Sequence, residues 1–148
     1  MRRLLGQVVA LVLPTLLIAC ERRGTRPIAK GVDSCAHCRM TIDDLRLAAE
    51  AVRPNGNVLT FDSVQCLADY LAVPGADRAA LTPFVARFDH PTEFLDATIA
   101  RFTESPTLRG PMGGAAILAG TTSDGYEGRR TTWAAMRAQA GRPRSRAG

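Results

Sequence analysis

Aromatic side chains are scarce in this sequence, at 5% of 148 residues. Any core must therefore be built from aliphatic side chains, for which an apolar content of 46% leaves room. Acidic residues are missing from both ends. None occurs before Glu21 and none after Glu127. Residues 129–148 carry six arginines, whereas residues 20–128 hold 11 basic and 14 acidic side chains. The formal charge of +5 thus misdescribes the body of the chain, which is mildly acidic. A basic terminal run reads as a solvated tail. No apolar run reaches the roughly 20 residues of a spanning helix. Histidine is confined to His37 and His90, and a second Cys-x-x-Cys is absent. A zinc knuckle, which needs four nitrogen or sulfur donors, is short of ligands.

The first 19 residues carry an export pattern. Arg2 and Arg3 precede an uncharged stretch from Leu4 to Ala19. A positive start, a short apolar run and a small residue at its end describe a secretory signal peptide. The run ends Leu17-Ile18-Ala19-Cys20, which resembles the lipobox of bacterial lipoproteins. That resemblance implies cleavage before Cys20, a lipid on its thiol, and attachment to a membrane surface. The localisation expected is the periplasm, on the cell envelope. Glu21 stands where an aspartate would signal inner-membrane retention, which favours the outer membrane. Export also argues against a nucleic-acid partner. Residues 20–32 read as a tether.

Cys35, Cys38 and Cys66 remain, an odd number for an oxidising compartment, where thiols normally pair. Cys35-Ala36-His37-Cys38-Arg39-Met40 places two thiols, an imidazole and a thioether in six residues. Thiolate and thioether are soft donors that favour Cu(I). The same Cys-x-x-Cys spacing serves thioredoxin-like redox pairs, which open a helix after a strand. Here no apolar strand precedes it. A structural disulfide among the three is the third reading. Met112, in the turn-rich Gly110–Gly114 segment, is either an exposed thioether or a filler of the core.

The chain between these points alternates short elements. Leu47–Val52 and Val58–Phe61 flank Pro54-Asn55-Gly56-Asn57 and read as a hairpin. Asp62 is placed to cap a helix through residue 72, with Cys66 in its first turn. Residues 74–83 read as a linker. Phe84–Phe88 and Thr98–Phe102 read as strands with a turn at His90-Pro91-Thr92. Ala115–Ala119 reads as another strand and Thr131–Trp133 as a last short one, and Met136 as a packing residue. A faint repeat matches Gly56-x-x-x-Thr60-Phe61 to Gly128-x-x-x-Thr132-Trp133.

Taken together, four motifs in order resemble the NosL family of copper chaperones over residues 17–135. They are the lipobox at Cys20, Asp33-x-Cys35-x-x-Cys38-x-Met40-x-Ile42, Phe61-Asp62-x-x-x-Cys66, and Pro111-Met112-Gly113-Gly114. The resemblance implies an α+β fold of two small ββαβ-type lobes, similar to the organomercurial lyase core. It places the first lobe at 33–73, the second at 84–136 and a basic tail at 137–148. It implies a non-enzymatic carrier that binds Cu(I) and delivers it to a copper-accepting periplasmic protein, nitrous oxide reductase or its assembly complex. Its metal ligands map to Cys38, Met40 and Met112, with Cys35 and Cys66 as supporting donors. Arg39 departs from the family, which carries glycine there. The rival function is a thiol–disulfide oxidoreductase using Cys35 and Cys38, or a structural lipoprotein with one disulfide.

Overall fold

A computed structural model describes residues 24–121 and 124–142. The signal peptide, Cys20 and the last six residues lie outside the described residues. Two small antiparallel sheets and short helices make an α+β fold, as the sequence implies.

The first sheet begins with a hairpin. Strands β1 (Ala49–Val52) and β2 (Val58–Phe61) pair in register from Ala49–Phe61 to Val52–Val58. The turn between them has Gly56 at φ 87°, a left-handed conformation that favours glycine. Helix α1 (Val64–Ala72) follows. Its cap is Ser63, whose Oγ accepts from the Cys66 N–H at 3.2 Å, and not Asp62. Val64, Leu67, Ala68 and Leu71 recur at helical spacing and are buried against the sheet. Two of the expected linker's features are ordered elements: helix α2 (Ala76–Ala79) and the start of β3 (Thr82–Arg87).

Strand β3 lies beside β1, and β4 (His90–Asp96) beside β3, giving the order β2-β1-β3-β4. Residues 82–96 therefore complete the first sheet and do not open a second lobe. The turn falls at Phe88-Asp89, so that His90 and Pro91 start a strand. Pro91 is tolerated because β4 is an edge strand. Thr98 and Ile99 form a turn, not a strand.

The second sheet has the order β6-β5-β7, from β5 (Arg101–Arg109), β6 (Ala115–Gly120) and β7 (Arg129–Thr131). Helix α3 (Trp133–Gln139) closes it, capped by Thr132. Trp133 thus opens a helix instead of ending a strand. Arg137, expected in a loose tail, lies on α3 and donates to the Leu71 carbonyl at 3.0 Å.

One core spans both sheets. Phe61, Val64, Leu67 and Val85 pack in a cluster with Phe102, Ile117, Ala119 and Met136. Helix α1 packs on α3, and the Phe88 N–H donates to the Ala119 carbonyl at 2.9 Å. Arg87 pairs with Asp124, and Tyr126 donates to Asp89, across the same seam.

The opposite face of the first sheet is covered by residues preceding β1. Ile28 and Leu45 pack on Ile42, Ala48, Ala86 and Phe94. The expected tether is held in place from Arg26 onward. Arg26 forms a two-pronged pair with Asp33, and its N–H donates to Glu50 Oε2 at 3.1 Å. Glu50 is fully buried in central β1, and its Oε1 has no partner. Burial raises its pKa to about 7, against the pull of Arg26. A buried carboxyl with a raised pKa binds more protons folded than unfolded, so stability falls as pH rises from about 4.5 to about 7. Denaturant melts from pH 4.5 to 8 should show that decline. Glu50→Gln should abolish it, leaving the variant more stable at pH 8 by on the order of 2 kcal/mol.

Candidate metal centre

The segment from Asp33 to Ile42 is a tight loop closed on itself and stapled to β2. Ser34 and Thr41 form an isolated antiparallel bridge. Inside it the Cys35 N–H donates to the Met40 carbonyl at 2.8 Å, and the Arg39 N–H to the Cys35 carbonyl at 3.0 Å. Thr60, near the end of β2, holds the loop twice. Its carbonyl accepts from the Ala36 N–H at 2.8 Å, and its Oγ1 donates to the Ser34 carbonyl at 3.0 Å. The loop is thereby set against the junction of β2 and α1.

That junction carries the other two donors, Asp62 between strand and helix and Cys66 in the first helical turn. One ligand atom each from Cys35, Cys38, Asp62 and Cys66 lies within 4.8 Å of every other. Two metal–sulfur bonds of about 2.3 Å placed back to back span about 4.6 Å. Three thiols around one ion stand closer, at about 4 Å, so the cluster is compact enough for a shared soft metal ion once its side chains draw in. Cys35, Cys66 and Asp62 are buried, and Cys38 is half-buried. Cys38 is the thiol through which solvent or a second molecule reaches the cluster.

Hydrogen bonds link the four groups. The Cys38 thiol donates to Asp62 Oδ2 at 3.1 Å. Ser63 Oγ donates to Asp62 Oδ1 at 3.3 Å while accepting from the Cys66 N–H. The thiols are electrostatically unequal. A hydrogen bond from Cys66, aided by backbone amides, lowers the Cys35 pKa to about 6 despite burial. Cys66 is pushed up by that same hydrogen bond and by burial. Burial, then the Asp62 carboxylate, pushes Cys38 up to about 12. The arrangement is a cluster of thiols of unequal acidity. A soft cation entering it would displace the remaining protons.

The structure brings three of the expected donors together and adds one. Asp62 was assigned to the helix cap by its position; Ser63 takes that role, and the carboxylate turns to Cys38. The sequence signal was the four-residue spacing from Asp62 to Cys66. The thioethers stand apart from this buried group. Met40, near the end of the same loop, has 45% of its surface exposed, and Met112 is 49% exposed. Met112 lies in a turn closed by Gly110 N–H donating to the Gly114 carbonyl, with Gly113 at φ 86°. The adjacent Ala115 carbonyl accepts from Gln65 Nε2 at 2.9 Å, which sets this turn's exit beside the helical turn that carries Cys66. His37 and His90 are exposed and outside the cluster.

Arg39, between Cys38 and Met40, is the one non-glycine residue with positive φ (68°) among the described residues. A left-handed conformation costs an ordinary side chain about 1 kcal/mol. Arg39→Gly should therefore raise the unfolding free energy by about 1 kcal/mol, read as a higher urea midpoint at unchanged slope. A lower midpoint would mean that the side chain contributes more than the strain costs.

No protein-family model matches the chain, and a search of curated proteins gave no match. Among solved structures the fold is similar to the copper chaperone NosL from Shewanella denitrificans. The TM-score is 0.57 at 19% sequence identity, covering 68% of this chain and 81% of that one. The likeness is one of fold.

Proposed function

We propose that this chain is a Cu(I) carrier whose metal centre is the cysteine cluster at the junction of β2 and α1. The observation that carries the reading is the mutual approach of three thiols and Asp62 within 4.8 Å. The fold shared with a copper chaperone supports it. Thiolates of Cys35, Cys38 and Cys66 supply soft donors in a low-coordinate arrangement suited to Cu(I). Met40 and Met112, exposed on neighbouring loops, supply thioethers for entry and hand-off. Cys38 alone is open, so copper leaves by ligand exchange at its side, an incoming donor replacing one bond at a time. No covalent chemistry on a substrate is involved. Through lipid on Cys20 the carrier would be confined to the periplasmic face of the cell envelope. Its acceptor, by the family resemblance, would be nitrous oxide reductase or its assembly complex.

A thiol–disulfide oxidoreductase fits the geometry less well. Attack on a substrate disulfide needs an exposed thiolate. Here the thiol with the lowered pKa, Cys35, is buried, and the accessible one, Cys38, is held protonated. The pair also lies in a stapled loop and not at a helix start.

The Asp62 carboxylate favours a second reading, Zn(II), which accepts oxygen and completes four donors. Anaerobic competition titrations on the purified full chain separate the two. The copper reading expects one tight Cu(I) per chain, weakened more than about a hundredfold by Cys38→Ser, beyond the loss typical of an outer-shell change. It also expects a smaller loss with Met40→Leu or Met112→Leu and little change with Asp62→Asn. Preferential Zn(II) uptake that collapses in Asp62→Asn would assign the site to zinc.

A further inference from the structure

Beside the metal loop lies an open groove of about 610 Å³ that the copper chemistry does not use. One wall is the loop itself, with exposed His37 and Arg39. The other is the end of α1 and the start of α2, with Tyr70, Val73 and Arg78. No Asp or Glu is among the residues that line it. The two arginines are presented differently. Arg78 is fixed, its guanidinium 4.2 Å above the Tyr70 ring and donating to the Tyr70 carbonyl at 2.9 Å. Arg39 is fixed at its backbone, by the positive φ and by its N–H bond to Cys35, while its side chain is exposed and has no carboxylate partner among the described residues. Exposed Val73 adds an apolar floor.

We infer that this groove is the docking surface for the copper-exchange partner, and that the partner presents carboxylates flanking its own metal donors. The inference rests on the copper-carrier reading. Any partner that takes or gives metal must reach Cys38, the one half-buried thiol of the cluster. Arg39 is its immediate neighbour in the chain and lines the groove, so a partner seated there has Cys38 one residue away. Two guanidiniums and no carboxylate on the lining select an acidic surface and repel a basic one. Guanidinium also matches carboxylate geometry in a two-pronged contact. A strained backbone at an exposed arginine, where glycine would be relaxed, is the pattern of a side chain retained for contact.

The surface can be tested without metal. Fluorescein-labelled peptides with one central methionine, flanked by Glu, Gln or Lys, are titrated with the metal-free full chain at low salt, and anisotropy is read. The Glu peptide should bind tightest, and added salt should erase its advantage. Arg39→Gly and Arg78→Gln should each weaken it about fivefold, with Arg39→Lys closer to the parent. Equal binding of Glu and Gln peptides, or a Glu preference that survives Arg39→Gly, would overturn the inference. Cu(I) affinity, measured alongside, should not change in Arg78→Gln. A chain that binds Cu(I) but shows no charge preference refutes the docking surface alone. A chain that prefers the Glu peptide through Arg39 yet takes up no Cu(I) refutes the copper reading and leaves the acidic-ligand surface standing.

Discussion

Everything at the metal centre depends on Thr60 holding the cysteine loop to the end of β2. Three thiols and a carboxylate, mostly buried, would not stay within one small volume by attraction, because burial penalises each charged form. Backbone geometry has to hold them. The Thr60 carbonyl and hydroxyl fix Ala36 and Ser34, the residues on either side of Cys35. The Ser63 cap fixes the first turn of α1, and with it Cys66. Strand, loop and helix thereby converge, each anchored by hydrogen bonds that leave the sulfur atoms out. The donor atoms are thereby gathered within 4.8 Å of one another.

That convergence needs a rigid platform, which the shared core provides. Helix α1 is clasped between the first sheet and α3, with Arg137 and Leu71 joined across the helix pair. On the far side of the sheet, Glu50 anchors Arg26, and Arg26 anchors Asp33, two residues before Cys35. The loop is thus tied at Asp33 as well as at Thr60. The unpartnered Glu50 oxygen makes this second tie the less stable of the two at neutral pH.

Local signals in the sequence foretold what is held locally. The turn at Asn55-Gly56 and the helical spacing of Val64, Leu67, Ala68 and Leu71 each lie within a few residues, and both elements formed as read. The soft-donor character of Cys35, Cys38 and Cys66 was also legible from side-chain chemistry. The partner of Cys38 was not. Asp62 before a helix looks like a cap, and only the three-dimensional approach of the loop shows that Ser63 caps while Asp62 faces a thiol. Strand β4 is hidden in the sequence because Pro91 argues against a strand until its place at the sheet edge is known. Pairing of β1 with β3, separated by β2 and two helices, has no local signature, so the sequence does not show that residues 82–96 join the first sheet. The tether was misjudged for a similar reason: Arg26 is polar, but its partners, Asp33 and Glu50, become apparent only when the chain folds back over the sheet.

X-ray absorption of the copper-loaded full chain tests the central claim most directly. A buried cluster of three thiols predicts monovalent copper in a shell of three sulfur atoms, with sulfur lost from that shell in Cys66→Ala, a residue no solvent reaches. A shell dominated by nitrogen or oxygen, or an unchanged sulfur shell in Cys66→Ala, would contradict it and place the metal outside the junction of β2 and α1.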